Sequence, residues 1–157
     1  MMEGKVCPYC KKNTEHVDSI EVFKTQSYGM IYICWDCDAY VGTHKDEPLK
    51  SKGRVAKKDL RVLKKRAHDL FDCIWKTGFL SRSEAYKWLS KQLGVPPEYT
   101  HIGMFNWRNC IRTINNSKAF INLNNIKRCQ DESKKVTELE QVLLVKEQWS
   151  WDQYQKQ

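Results

Sequence analysis

Two cysteine pairs constrain this chain more than anything else in it. Cys7-Pro8-Tyr9-Cys10 and Cys34-Trp35-Asp36-Cys37 are both C-x2-C, with 23 residues between the pairs. A two-residue turn brings both sulfurs of a pair to one side of the backbone, so each pair offers two corners of a coordination shell. Two pairs complete a tetrahedral S4 set, which suits Zn2+ and leaves no open position for water. An iron centre of the S4 type uses the same ligands, and buried or redox-active thiols are the bland alternative. The gap is slightly longer than common ribbon spacing, but a β-hairpin absorbs the excess. Cys7, Cys10, Cys34 and Cys37 are therefore the expected metal ligands and Zn2+ the expected cofactor. The first 44 residues have few apolar side chains, so the metal's role is structural: it supplies folding free energy that a small core cannot. His44, seven residues after Cys37, reads as a supporting or surface group, and His16 as a solvated strand residue.

The other three cysteines, Cys73, Cys110 and Cys129, are isolated in the sequence. An odd total of seven argues against a complete disulfide framework, and Met1-Met2-Glu3-Gly4-Lys5 lacks the apolar stretch of a secretory signal. Both point to a reducing compartment. No apolar run approaches the roughly 18–20 residues that span a bilayer, so no membrane partner is expected. Six Trp, seven Tyr and five Phe exclude a wholly disordered chain, and seven Gly and four Pro exclude collagen-like and Pro-rich architectures.

The formal charge of +8 is unevenly distributed. Residues 1–44 and 131–157 each hold four basic and six acidic side chains. Residues 45–70 hold ten and four, and residues 71–130 nine and three. The positive surplus belongs to the middle of the chain.

Residues 1–44 read as β structure around the cysteines. Val17–Phe23 and Met30–Ile33 are β-prone, Ser27-Tyr28-Gly29 is a turn between them, and Ala39–Gly42 returns as another strand. Residues 45–56, polar with Pro48 and Gly53, read as a basic linker or exposed loop. From Lys57 the period becomes helical: Leu60, Leu63, Ala67, Leu70, Phe71 and Ile74 form one stripe. Lys57, Arg61, Lys64, Lys65 and His68 cluster about 130° away on the same wheel. Gly78 ends this helix. Ser81-Arg82-Ser83-Glu84 has the form of a capping box for a second helix burying Ala85, Trp88 and Leu89, stopped by Gly94. Asn106 caps a third with Trp107, Cys110, Ile111 and Ile114 inward, ending at Asn115-Asn116-Ser117. From Asp131, Val136, Leu139, Val142, Leu143 and Trp149 have near-helical spacing. The expected fold is α+β: a four-cysteine zinc ribbon of β-hairpins (1–44), the linker (45–56), a small helical bundle (57–123) and a C-terminal helical extension (124–157).

Val6-Cys7-Pro8-Tyr9-Cys10, the run Ser27–Cys34, and Cys37–Gly42 resemble the zinc-finger-containing domain family of unknown function encoded by phages and prophages. Ser81–Leu89 and His101–Phe105 are similar to that family as well. The resemblance covers roughly residues 6–115 and matches the four cysteines position by position. It implies an N-terminal zinc finger joined to a helical part, in a bacterial cytoplasm. It supplies no reaction.

Lysines and arginines on one face can contact phosphates and release counterions. Lys57, Arg61, Lys64 and Lys65, extended by Arg82, Lys87, Lys91, Arg108 and Arg112, are candidate nucleic-acid contacts; a solvated basic face is the alternative. Tyr9 or Trp35 at the knuckle tips could stack on bases. Residues 81–114 have helix–turn–helix proportions, but the turn holds Pro96-Pro97 and the third helix offers few polar side chains for base edges. His68 and Asp72 lie at i, i+4 and His101 precedes Gly103, yet no phosphate loop, nucleophile elbow or H-E-x-x-H appears, so the chain is not expected to be an enzyme. The preferred function is zinc-dependent, non-catalytic nucleic-acid binding. The alternative is a phage-type interaction module that inhibits or redirects a host or defence protein. The C-terminal stripe offers a route to homo-oligomers.

Overall fold

The computed structural model describes residues 4–134 and Gln141. The expected tail stripe of Val136, Leu139, Val142, Leu143 and Trp149 lies outside the described residues. The chain is α+β. Its N-terminal part is a three-stranded antiparallel sheet in the order β1 (Glu15–Asp18), β2 (Met30–Cys34), β3 (Ala39–Gly42). Glu15 faces Ile33 across β1–β2, and Cys34 faces Ala39 across β2–β3.

The strand expected over Val17–Phe23 stops at Asp18, and Ile20–Phe23 is a helical turn, α1. Local hydrogen bonds decide this. The Asp18 carboxylate accepts the Ile20 N–H at 2.9 Å. Ser19, fully buried, donates its N–H to the Gly29 carbonyl at 3.0 Å, and its hydroxyl accepts the Tyr28 N–H at 2.7 Å. Side chains of Ser and Asp offer the backbone a turn in place of the ladder.

Residues 57 onward form helices α2 (Lys58–Lys76), α3 (Arg82–Leu93), α4 (Trp107–Leu123) and α5 (Lys127–Lys134), with 3-10 turns at Pro97–Tyr99 and Ile102–Met104. The stripe Leu60, Leu63, Ala67, Leu70, Phe71 and Ile74 is buried in one core with Ala85, Leu89, Ile111, Ile114 and Ile121. α2 packs mainly on α4. The capping box forms in full: Ser81 Oγ accepts the Glu84 N–H at 3.2 Å, and Glu84 Oε2 accepts the Ser81 N–H at 2.8 Å. Asn106 caps α4 by accepting the Asn109 N–H at 3.0 Å. The expected stop at Asn115–Ser117 does not occur. Ser117 and Ile121 are fully buried one and two turns beyond Ile114, and their packing outweighs the poor helix propensity of Asn and Ser.

Residues 45–56 are not a free linker. Their first half is exposed, but Thr43 pairs with Ser51 and Tyr40 with Ala56, and Gly53, Val55 and Ala56 are buried. Tyr40 and Ala56 exchange both backbone hydrogen bonds at 3.1 Å. A Cβ on Gly53 would stand 2.1 Å from the Gly103 carbonyl oxygen, so only glycine lets the two backbones meet there. Arg54 N–H donates to that same Gly103 oxygen at 3.1 Å. The segment is a strap that pairs with the sheet on one side and packs on the helices on the other. Its polarity hid this, because its contacts are made by backbone.

Cys73 and Cys129, isolated in sequence, are joined by a disulfide across 56 residues, with Cα atoms 6.0 Å apart. The packing of α5 on α2 brings them together, which no local spacing announces. Only Cys110 remains of the three as a buried free thiol. By loop-closure entropy a bridge of this span stabilises by up to about 4 kcal/mol. Alkylation of the unreduced, denatured protein followed by mass spectrometry should leave Cys73 and Cys129 unlabelled, and Cys129→Ala should lower the melting temperature. Full labelling of both in freshly isolated protein would contradict the bridge.

Candidate metal centre

The four cysteine sulfurs lie within 4.8 Å of one another, with Cys10 Sγ and Cys34 Sγ 3.5 Å apart. A tetrahedron with Zn–S bonds of about 2.3 Å has edges of about 3.8 Å, so shifts of about 1 Å or less would bring the donor set onto zinc. The two C-x2-C turns have related shapes. Lys11 and Asp38, the residues following the second cysteine of each pair, both take left-handed backbone, φ 65° and 47°. The first turn closes with Cys7 N–H to the Lys12 carbonyl and Lys11 N–H to the Cys7 carbonyl, and the second with Asp38 N–H to the Trp35 carbonyl. Val6 bridges Asn13 behind the first knuckle, and β2 and β3 flank the second.

Backbone N–H groups point at sulfur in both turns. The Lys12 N–H is the main reason the Cys10 thiol is lowered to about 7, and the neighbouring cysteines add to it. Burial pushes Cys34 up, against the Cys37 N–H that favours its thiolate, and burial pushes Cys37 up to about 12. A divalent cation is what holds four such sulfurs as thiolates together. Outside the ligands, the Lys12 ammonium pairs with the Asp36 carboxylate and bridges the two knuckles at the surface. Trp35 Nε1 donates to Glu15 Oε2 at 2.9 Å, so the indole is tied to the sheet while remaining half exposed. His44 is exposed, and His16 lies against the Tyr32 ring with its Nε2 2.9 Å from the Pro48 carbonyl. Neither belongs to the sulfur cluster.

Tyr9, at the tip of the first knuckle, is docked on the helical part. Its hydroxyl accepts the Lys57 N–H at 3.2 Å just before α2 begins, and the Lys57 ammonium lies 5.0 Å from its ring centroid. The other candidate cations fall into distinct roles. Arg61 places its guanidinium 3.7 Å from the Tyr40 ring centroid and donates to the Ala56 carbonyl at 2.6 Å. Lys64 is mostly buried and donates to the carbonyls of Gly103 at 2.7 Å and Arg54 at 3.3 Å. Arg112 donates to Leu93 and Gln92 carbonyls at 2.8 and 2.9 Å, capping the C-terminus of α3 where a cation suits the helix dipole. Lys65 pairs with Asp69. Arg82 lies over the Trp75 and Tyr86 rings, 5.4 and 5.6 Å from their centroids. Lys87 and Arg108 are exposed on α3 and α4. The helical wheel places Lys57, Arg61, Lys64 and Lys65 together, but it shows nothing of the carbonyls that hold two of them. His68 and Asp72 are helix neighbours 3.6 Å apart, and the Asp72 carboxylate also receives Lys76 and the Trp75 indole N–H.

A sheet built on two sulfur-bearing knuckles and joined to a helical core defines a zinc-finger protein. The chain matches the model of the zinc-finger-containing domain family over residues 3–120, most of its length, and belongs to that family. No curated protein and no solved structure matches it. Its cofactor is Zn2+, held by Cys7, Cys10, Cys34 and Cys37. Among the described residues no helix is long and apolar enough to cross a membrane.

Two measurements follow from this geometry. Elemental analysis should find about one zinc per chain, and Cys34→Ser should release it. The finger should then lose its dispersed amide signals while most helical circular dichroism stays, because among the described residues the helical core is built from residues 56–129. Metal-free wild type with an intact finger would refute the assignment. The second concerns Lys64, whose pKa burial lowers to about 8. Between about 8 and 10.5 the unfolded chain holds a proton that the folded one lacks, so stability rises with pH across that window. Urea unfolding should show this gain, up to about 3 kcal/mol at 1.36 kcal/mol per unit, shrinking in Lys64→Met; equal pH dependence in the two proteins would contradict it.

Proposed function

We propose that this zinc-finger protein binds nucleic acid without catalysis, through the basic surface formed where the strap enters α2. The observation that carries the reading is charge placement. Residues 50–66 hold nine basic side chains and one acid, Asp59, a surplus equal to that of the whole chain. Arg61 and Lys64 spend their N–H groups on carbonyls, which are neutral, so their charges still add to the field. Lys52, Lys57 and Lys58 are exposed beside them. Cations concentrated in this way favour a polyanion by counterion release. The resemblance to phage and prophage proteins points to a bacterial cytoplasm as the setting, and the Cys73–Cys129 disulfide stands against it, since such bridges belong to oxidising compartments. The alternative partner, an acidic face on a host or defence protein, would meet the same surface.

Arg61, Lys64 and Arg112 hold the fold, so their reversal would confuse binding with unfolding. The triple change Lys52→Glu, Lys57→Glu, Lys58→Glu alters exposed positions. In fluorescence anisotropy, wild-type affinity for labelled oligonucleotides should fall steeply with salt. The triple variant should bind at least about tenfold more weakly, its salt slope reduced by about two to three. Affinity independent of both salt and these residues would sink the proposal. A stoichiometric protein recovered from nuclease-treated host lysate, with no oligonucleotide binding, would replace it with the alternative.

A further inference from the structure

The finger carries a row of aromatic rings that the metal site does not use. Tyr28 meets Phe23 edge-on at 5.3 Å, and Phe23 meets Tyr40 edge-on at 5.7 Å. The Arg61 guanidinium then lies 3.7 Å from the Tyr40 centroid. Ring contact is therefore unbroken from the loop before β2 to the basic surface of α2. The outer end is open to solvent: Tyr28 is 66% exposed and Phe23 36%. Its backbone is nevertheless fixed, because the Tyr28 N–H donates to the buried Ser19 hydroxyl and the Gly29 carbonyl accepts the Ser19 N–H. A large exposed ring on an anchored backbone has little ordering entropy left to lose when something stacks on it.

Resting on the nucleic-acid reading above, we infer that this finger face takes single-stranded nucleic acid. Bases stack on Tyr28 and Phe23, while the backbone phosphates follow Arg61, Lys57 and Lys58. The combination of an aromatic row with cations at one end matches the two faces of a single strand, flat bases and a charged backbone. A duplex keeps its base faces stacked inside, so it has nothing to offer the rings. Arg61 joins the two halves, covering Tyr40 on one side and extending the charge of α2 on the other.

The test compares anisotropy of labelled single strands of about twelve nucleotides, as DNA and as RNA, with the corresponding duplex. Zinc content serves as the check that each variant is folded. Single strands of at least one kind should bind more tightly than the duplex. Tyr28→Ala should weaken single-strand binding by about 5- to 150-fold, the loss of one stacked base, and leave the salt slope unchanged. Tyr28→Trp should restore affinity, with indole fluorescence quenched on binding. Several results would overturn the inference. If Tyr28→Ala and Phe23→Ala bind single strands like wild type while the lysine variant is impaired, the nucleic-acid reading stands and the aromatic row has no part in it. Preference for the duplex removes the row as well. If Tyr28→Ala dissolves a dimer seen by sedimentation, the rings cover a second copy instead. Absence of binding to any nucleic acid brings down the reading and the inference together.

Discussion

Four sulfurs converging on one point hold up the N-terminal third of this protein. Besides the cysteines, its sheet and strap bury Ile31, Tyr32, Ile33, Ala39 and Val55, and only Tyr32, Ala39 and Val55 form one cluster, with Cys37 and Val41 at its margin. So few buried side chains cannot offset the ordering of some forty residues, at about 1–2 kcal/mol per residue for the backbone alone. Zinc closes the difference, since its binding free energy is also folding free energy. The metal's influence then passes outward through backbone. The first knuckle presents Tyr9 to the start of α2, and the second is continuous with β3, whose Tyr40 pairs with Ala56.

The join between finger and helices is made of polar groups arranged so that few are wasted. Gly53 and Gly103 bring two backbones into contact, and the Gly103 carbonyl left at the contact accepts both the Arg54 N–H and the Lys64 ammonium. Burying an ammonium without a carboxylate is costly, which is why the Lys64 pKa falls. The position still suits lysine, because even a neutral amine has the two hydrogens that the Gly103 and Arg54 carbonyls require. Structure and charge are therefore superimposed on one surface. Some cations fix the strap to α2, others such as Lys52 and Lys58 are exposed beside it, and the field they produce is shared.

Much of this was legible in the residues. The cysteine spacing specified the ligands because tetrahedral coordination leaves few alternatives, and the period of Leu60 to Ile74 specified the buried face of α2. The Ser81–Glu84 box and the Asn106 cap were legible because capping is a local matter of three or four residues. What was not legible rests on partners that meet only in the folded chain. Ser19 turns the chain out of β1 because Gly29 and Tyr28 come back to it. α4 runs past Asn116 because Ile121 has a core to enter. The polar strap is held by backbone bonds that no side-chain pattern reports, and Cys73 meets Cys129 only once α5 lies on α2.

The sequence by itself determined the zinc ligands, the α+β composition, the apolar stripe of α2 and the location of the positive charge, since each depends on residue type and short-range spacing. Tertiary structure alone decided which cations hold carbonyls and which stay exposed, and it turned an apparent linker into a strap paired with the sheet. It also gathered Tyr28, Phe23, Tyr40 and Arg61 into one row. The physical reason is the same in every case: a hydrogen bond or ring contact between different elements depends on where the core and the metal put the backbone, and a one-dimensional pattern carries no record of that distance.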